Sequence, residues 1–195
     1  KRQHPGSNKR FDLLLDPDLN LGGKWQYKPK TFSHAGKTYQ VNLPYNQYIV
    51  AHLGLYPLMD VSKFIQQPIH NVIIESLNTQ LSPLMQTMDE QEKINFLLHF
   101  VQNAFAYKTD GEQFGYENHL FAMESIYYPY ADCEDRSLFF ARLVKRLLGN
   151  DVMLMDYPGH VATAVAIDNI NRLDSYRIGK KEYVVADATY INSDL

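Results

Sequence analysis

The sequence predicts an α+β domain in which a central helix, with Cys133 at its N-terminal end, packs on a mainly antiparallel sheet. Two observations predict it. The apolar residues of the run Cys133 to about Leu148 (Leu138, Phe139, Phe140, Leu143, Val144, Leu147) cover more than one helical stripe, which is the mark of a buried helix. Three strand-like runs then follow one another, Val152–Met155, His160–Ile167 and Glu182–Ala188, and strands in succession favour an antiparallel sheet over a βαβ arrangement.

The elements are justified in chain order. Residues 1–10, KRQHPGSNKR, are polar and are expected to form a disordered tail. Residues 11–195 suffice for a single domain, with 11–60 strand-rich and 61–195 helical, ending in the helix and strands above. Lys37–Leu43 alternates Tyr39, Val41 and Leu43 with polar residues, and Ala35-Gly36 offers a turn before it. Residues 45–58 are ambiguous between strand and helix. Ile69–Leu81 reads as a helix that Pro83 ends or kinks. Asp89 with Glu92 forms a capping-box pattern ahead of Ile94, Leu97, Leu98, Val101 and Phe105. Asp110-Gly111 reads as a break, Leu120–Ile126 as a short helix, and Pro129 as its stop. Asp132 is placed to cap the Cys133 helix and Gly149 to end it. The polar stretch 168–180 reads as a loop.

Composition removes several classes of function. A net charge of −3, without blocks of like charge, gives no footprint for nucleic acid. Apolar runs fall short of the roughly 18 residues that span a bilayer, and no signal peptide opens the chain at Lys1. One cysteine excludes an internal disulfide and a Cys-based zinc cluster. His4, His34, His52, His70, His99 and His119 show no metal-ligand spacing. Asp16-x-Asp18-x-Asn20 hints at a calcium loop, but Leu21 stands where glycine is needed and Tyr27 where a bidentate glutamate is needed, so it reads as a turn. No cofactor and no metal are expected.

The remaining chemistry centres on Cys133. A thiolate is the reactive form of cysteine, and a helix N-terminus lowers the thiol pKa. Glu134 and Asp135 oppose that effect unless they turn away or pair with Arg136. His160 begins a strand whose near face is His160, Ala162, Ala164 and Ala166, so a helix can approach closely and bring thiol and imidazole within about 4 Å. Asp187 lies near the end of the 182–188 strand. Antiparallel pairing with the His160 strand sets it beside the imidazole, where it can accept the second ring N–H.

The order Cys, His, Asp, with gaps of 27 residues each, invites comparison with a known family. Ala131-Asp132-Cys133-Glu134-Asp135-Arg136-Ser137 resembles the nucleophile motif of bacterial transglutaminase-like proteins. Gly159-His160-Val161-Ala162 resembles their histidine motif, and Val185-Ala186-Asp187-Ala188-Thr189-Tyr190 their aspartate motif. Papain itself fits poorly, because its histidine follows its cysteine by roughly 130–150 residues. The resemblance covers about residues 90–195 and implies a papain-like cysteine proteinase fold. It also implies acyl transfer or hydrolysis of amide bonds in peptide or protein substrates, by Cys133 as nucleophile, His160 as base and Asp187 as orienting acid. Protein crosslinkers and members without activity belong to the same superfamily, and a periplasmic or envelope setting goes with it. The oxyanion hole is expected to use the Cys133 N–H and an upstream donor, for which Gln47, Gln113, Asn118 and Tyr128 are chemically able.

Overall fold

The computed structural model describes residues 14–168 and 175–195; the tail expected at 1–10 lies outside them. Strands β1 (Gln26–His34) and β2 (Lys37–Tyr45) form an antiparallel hairpin with His34 paired to Lys37. The turn between them holds Ala35 at φ 48° and Gly36 at φ 73°, the double left-handed turn whose twist suits a two-residue hairpin. Among the described residues of the 11–60 stretch, those outside the hairpin are not strand. Helix α1 spans Gln47–Leu53 because Asn46 caps it, accepting from Tyr48 and Ile49 N–H, and because Ile49, Val50 and Leu53 bury one helical face. The Asp16 region is a turn, closed by the Asp18 N–H on Asp16 Oδ1.

Helix α2 (Val61–Phe64) is a single turn. Helix α3 (Asn71–Leu81) starts at His70, whose Nδ1 accepts from Val72 N–H, and runs into a 3₁₀ turn at Ser82–Met85 that contains Pro83. The Asp89–Glu92 capping box opens helix α4 (Glu90–Ala104) with both of its hydrogen bonds formed. Strand β3 (Ala106–Tyr107) follows. The break expected at Asp110-Gly111 is instead a one-turn helix, α5 (Asp110–Gln113), with Thr109 and Glu112 forming its capping pair. Helix α6 (Ala122–Tyr127) and strand β4 (Tyr130–Ala131) lead to helix α7 (Cys133–Leu143), and β4 pairs in parallel with β3. A wider π turn, Val144–Leu148, extends α7 to Gly149 at φ 85°.

Strands β5 (Val152–Tyr157), β6 (His160–Ala166), β7 (Ser175–Ile178) and β8 (Lys181–Ala186) form an antiparallel sheet in the order β5-β6-β8-β7. Of the connection expected to be a loop over 168–180, residues 169–174 lie outside the described residues, and Ser175–Ile178 form an edge strand. Its side chains are largely exposed, so an edge position needs no apolar alternation. Central strand β6 is covered on both faces: Ala162 and Ala164 are buried, and so are Val161, Thr163 and Val165. Helix α7 packs on it. The core joins Leu138, Phe139 and Leu143 of α7 to Phe96 and Phe100 of α4. The Phe32 ring of β1 meets Phe96 and Phe100 at 5.1 and 5.2 Å. The molecule is thus an α+β protein with antiparallel sheets. Among the described residues no helix is long and apolar enough to cross a membrane.

Candidate active site

The N-terminus of α7 is set by Asp132. Its Oδ1 accepts the Asp135 N–H at 3.1 Å, and Asp135 Oδ2 accepts the Asp132 N–H at 3.5 Å. Asp135 is tied further by the Leu120 N–H, which donates to its Oδ1 at 2.6 Å. Cys133 is the first residue of the helix, so its own N–H has no intrahelical acceptor. One turn on, Ser137 Oγ donates to the Val161 carbonyl at 2.9 Å, which fixes the close approach of helix to strand. The Val161 N–H in turn favours the thiolate form of Cys133. The thiol therefore lies against the residue that follows His160.

His160 and Asp187 are brought together. The register Thr163↔Ala186 carries Asp187 one step past β8, beside the beginning of β6. There His160 Nε2 and Asp187 Oδ2 meet at 2.7 Å, both partly exposed. Asp187 Oδ1 accepts the Thr189 N–H at 2.8 Å, which leaves Oδ2 for the imidazole. Two buried side chains hold the segment behind it. Gln102 Nε2 donates to the Asp187 carbonyl at 2.9 Å and its Oε1 accepts from Asn192 N–H at 2.9 Å. Arg136 donates to the carbonyls of Ala188 and Thr189 at 3.4 and 3.3 Å, and to that of Phe105.

Among the described residues the thiol does not hydrogen-bond to the imidazole. Among the described residues the side-chain partner of Cys133 is Glu134, whose Oε2 accepts from the thiol at 2.8 Å. Burial pushes the thiol pKa up to about 12, and the bond to Glu134 with the charges of Glu134 and Asp132 adds to it; the Val161 N–H opposes them. The expectation of a helix-lowered pKa thus fails for a physical reason. The helix end offers only about 0.3–1 kcal/mol at typical sites, while Glu134 faces the sulfur and Arg136 is committed to backbone carbonyls rather than to the acids.

A second cluster lies behind the cysteine. Ligand-type oxygens of Asp110, Asp132 and Asp135 all fall within 4.8 Å of one another, and Asp110 also groups with Glu117 and His119. Such groups can hold a cation, but here they are organised by N–H donors: Asn118 N–H donates to Asp110 Oδ2 at 2.6 Å. Burial raises all three carboxyls, Asp110 to about 6, Asp132 to about 8 and Asp135 well above the carboxylate range; Glu117 and Glu134 add to it at Asp110, Glu134 and Asp110 at Asp132, and Asp132 and Asp110 at Asp135.

Of the proposed oxyanion donors, Gln113 is tied to the strand that precedes α7, since its Nε2 donates to the Tyr130 carbonyl at 3.4 Å, and its Oε1 is buried without a partner. Tyr107, paired with Ala131 across β3 and β4, is a neighbour that sequence reasoning gave no role. Burial raises its pKa, and the adjacent Cys133, Asp132 and Glu134 raise it further. Comparison with family models, with curated proteins and with solved structures returns no match for this chain.

Proposed function

We propose that this protein is a cysteine-dependent enzyme of the transglutaminase-like type, with a papain-like arrangement of helix and sheet, acting on amide bonds of peptide or protein substrates. The observation that carries the reading is the His160–Asp187 pair, 2.7 Å apart, set next to a cysteine that begins a buried helix. With Nε2 engaged by Asp187, His160 Nδ1 is left as the base. In the productive state the thiol turns from Glu134 to His160, gives up its proton to Nδ1, and the sulfur attacks the substrate carbonyl. The Cys133 N–H stabilises the resulting oxyanion, with Gln113 or Tyr107 as second donor. His160 then protonates the leaving amine, and water or an amine accepts the acyl group from sulfur. Hydrolysis is the favoured outcome, because water needs no acceptor site of its own.

A second reading is favoured by the Cys133–Glu134 bond, which keeps the thiol protonated: a domain of this fold that binds partners without turnover. Incubation with peptide libraries, with and without an amine donor, followed by mass analysis and a thiol-directed acyl probe, separates the two. Hydrolysed or amine-linked products lost in Cys133→Ser support the enzyme. Neither product nor probe labelling, in protein that melts cooperatively, supports the binding domain.

A further inference from the structure

A cavity of about 350 Å³ opens where the 65–69 segment faces the C-terminal half of α7 and the start of β5. It shares no lining residue with the Cys133, His160 and Asp187 site. Its wall carries Arg142, Lys145 and Arg146 against one carboxylate, Asp151. That carboxylate is already shared between Lys145, at 2.6 Å, and Lys181. Among the described residues, neither Arg142 nor Arg146 forms an ion pair.

Arg142 decides what the cavity is for. The residue is only 5% exposed, and a guanidinium presents five N–H donors in a planar fork. Among the described residues its one acceptor is the Phe64 carbonyl, bonded by Nη2, and Nε is buried without any. Asp135 commits its two oxygens to the N–H groups of Leu120 and Asp132 and forms no ion pair with the guanidinium. Burial lowers the Arg142 pKa to about 10, which still leaves it charged at neutral pH. Arg136, the other buried arginine of α7, also leaves its Nε without an acceptor but reaches three backbone carbonyls through its two terminal nitrogens, where Arg142 reaches one. A buried charge lacking acceptors is destabilising, and an oxyanion placed against the fork supplies both the acceptors and the counter-charge.

The rest of the lining says what such an anion carries. Ile65, Ile69 and Val152 offer an apolar wall, and the Gln66 and Gln67 amides that also line it are already engaged by the backbone of Ser62, Lys63 and Leu15. We propose that this cavity binds a small organic anion, with its carboxylate on Arg142, supported by Arg146, and its hydrocarbon body against Ile65, Ile69 and Val152. The deep position of Arg142 among apolar groups favours a singly charged carboxylate over a strongly hydrated phosphate.

The test titrates the full chain with hexanoate, hexanamide and inorganic phosphate, following the Arg142 Nε–H signal by NMR together with the binding heat. Hexanoate is expected to bind about tenfold tighter than hexanamide, since only the acid makes a charge-assisted bond to the guanidinium. It is also expected to move the Nε–H resonance and to outcompete phosphate. Arg142→Met should erase the difference between acid and amide. Should that variant not fold, Arg146→Gln, at an exposed rim position, should weaken hexanoate alone several-fold. Equal affinity for acid and amide, an Nε–H signal that hexanoate leaves unmoved, or phosphate binding in preference to hexanoate would each overturn the proposal.

Discussion

The Cys133 thiol gives its hydrogen bond to Glu134 Oε2 at 2.8 Å, one residue along its own helix. Burial and this neighbour together hold the thiol protonated, with a pKa pushed up to about 12. Alkylation by iodoacetamide should therefore keep accelerating as pH rises past the ordinary thiol value of about 8.5. Glu134→Gln removes the charge and should speed the reaction at neutral pH. Each unit of lowered pKa raises the thiolate fraction about tenfold but reduces its nucleophilicity, so the net gain is about threefold per unit. A wild-type rate that levels off near neutral pH would show that Glu134 does not govern the thiol.

The acids behind Cys133 make a prediction about stability. Folded, Asp110 and Asp132 hold their protons to about pH 6 and 8, and Glu124, buried in α6 where it accepts the Phe121 N–H, to about pH 7, while unfolded carboxyls release theirs near pH 4. In between, the native state binds more protons than the unfolded state. The stabilisation is thus complete below about pH 4 and is lost as pH rises through the folded values. The thermal midpoint should fall steadily from about pH 5 to 8. Asp132→Asn keeps an oxygen to cap α7 and should flatten the upper part of that curve. Identical slopes in both proteins would remove Asp132 from the account.

Much of this arrangement was legible in the sequence, and what was not has physical causes. The capping box at Asp89–Glu92 and the Asp132 cap were readable because a cap is a local interaction between side chain and backbone. The meeting of His160 with Asp187 was readable because antiparallel pairing joins the end of one strand to the beginning of the next. Single-turn elements such as α2 and α5 are too short to show a period, and edge strand β7 exposes most of its side chains. The partner of Cys133 was not legible either. Sequence places Glu134 beside the cysteine, but only the packing decides whether it turns away or toward the sulfur. Asp110 reaches the same acids from another element, and no spacing announces that.

Mechanism and stability should separate at two buried positions of α7. Under the proposed function, Cys133→Ser should abolish turnover, while its thermal midpoint stays close to wild type because the hydroxyl can still donate to Glu134. Leu143 is wholly buried in the core, so Leu143→Ala should destabilise by about 2–5 kcal/mol through a cavity and leave the folded fraction active. Melting and turnover measured on both variants decide the matter. If Cys133→Ser retains activity, the sulfur is not the nucleophile.

Gln102 offers the last prediction, because it touches neither the thiol nor the imidazole and yet holds the segment that carries Asp187. Its side chain donates to the Asp187 and Ser193 carbonyls and accepts from Asn192 N–H. Gln102→Met fills similar space without those groups and leaves buried partners unpaired, at about 1–3 kcal/mol for each unsatisfied group. The segment after β8 then keeps its ties to Asn95 and His99 of α4 at residues 194–195 but loses the one nearest Asp187, which samples positions in which it no longer orients His160. Turnover should fall about tenfold with little change in KM, because orientation of the base matters in the transition state more than in substrate binding. Assayed well below its melting point, a purely structural Gln102 would lower the thermal midpoint and leave kcat untouched. That outcome would confine the residue to a scaffolding role.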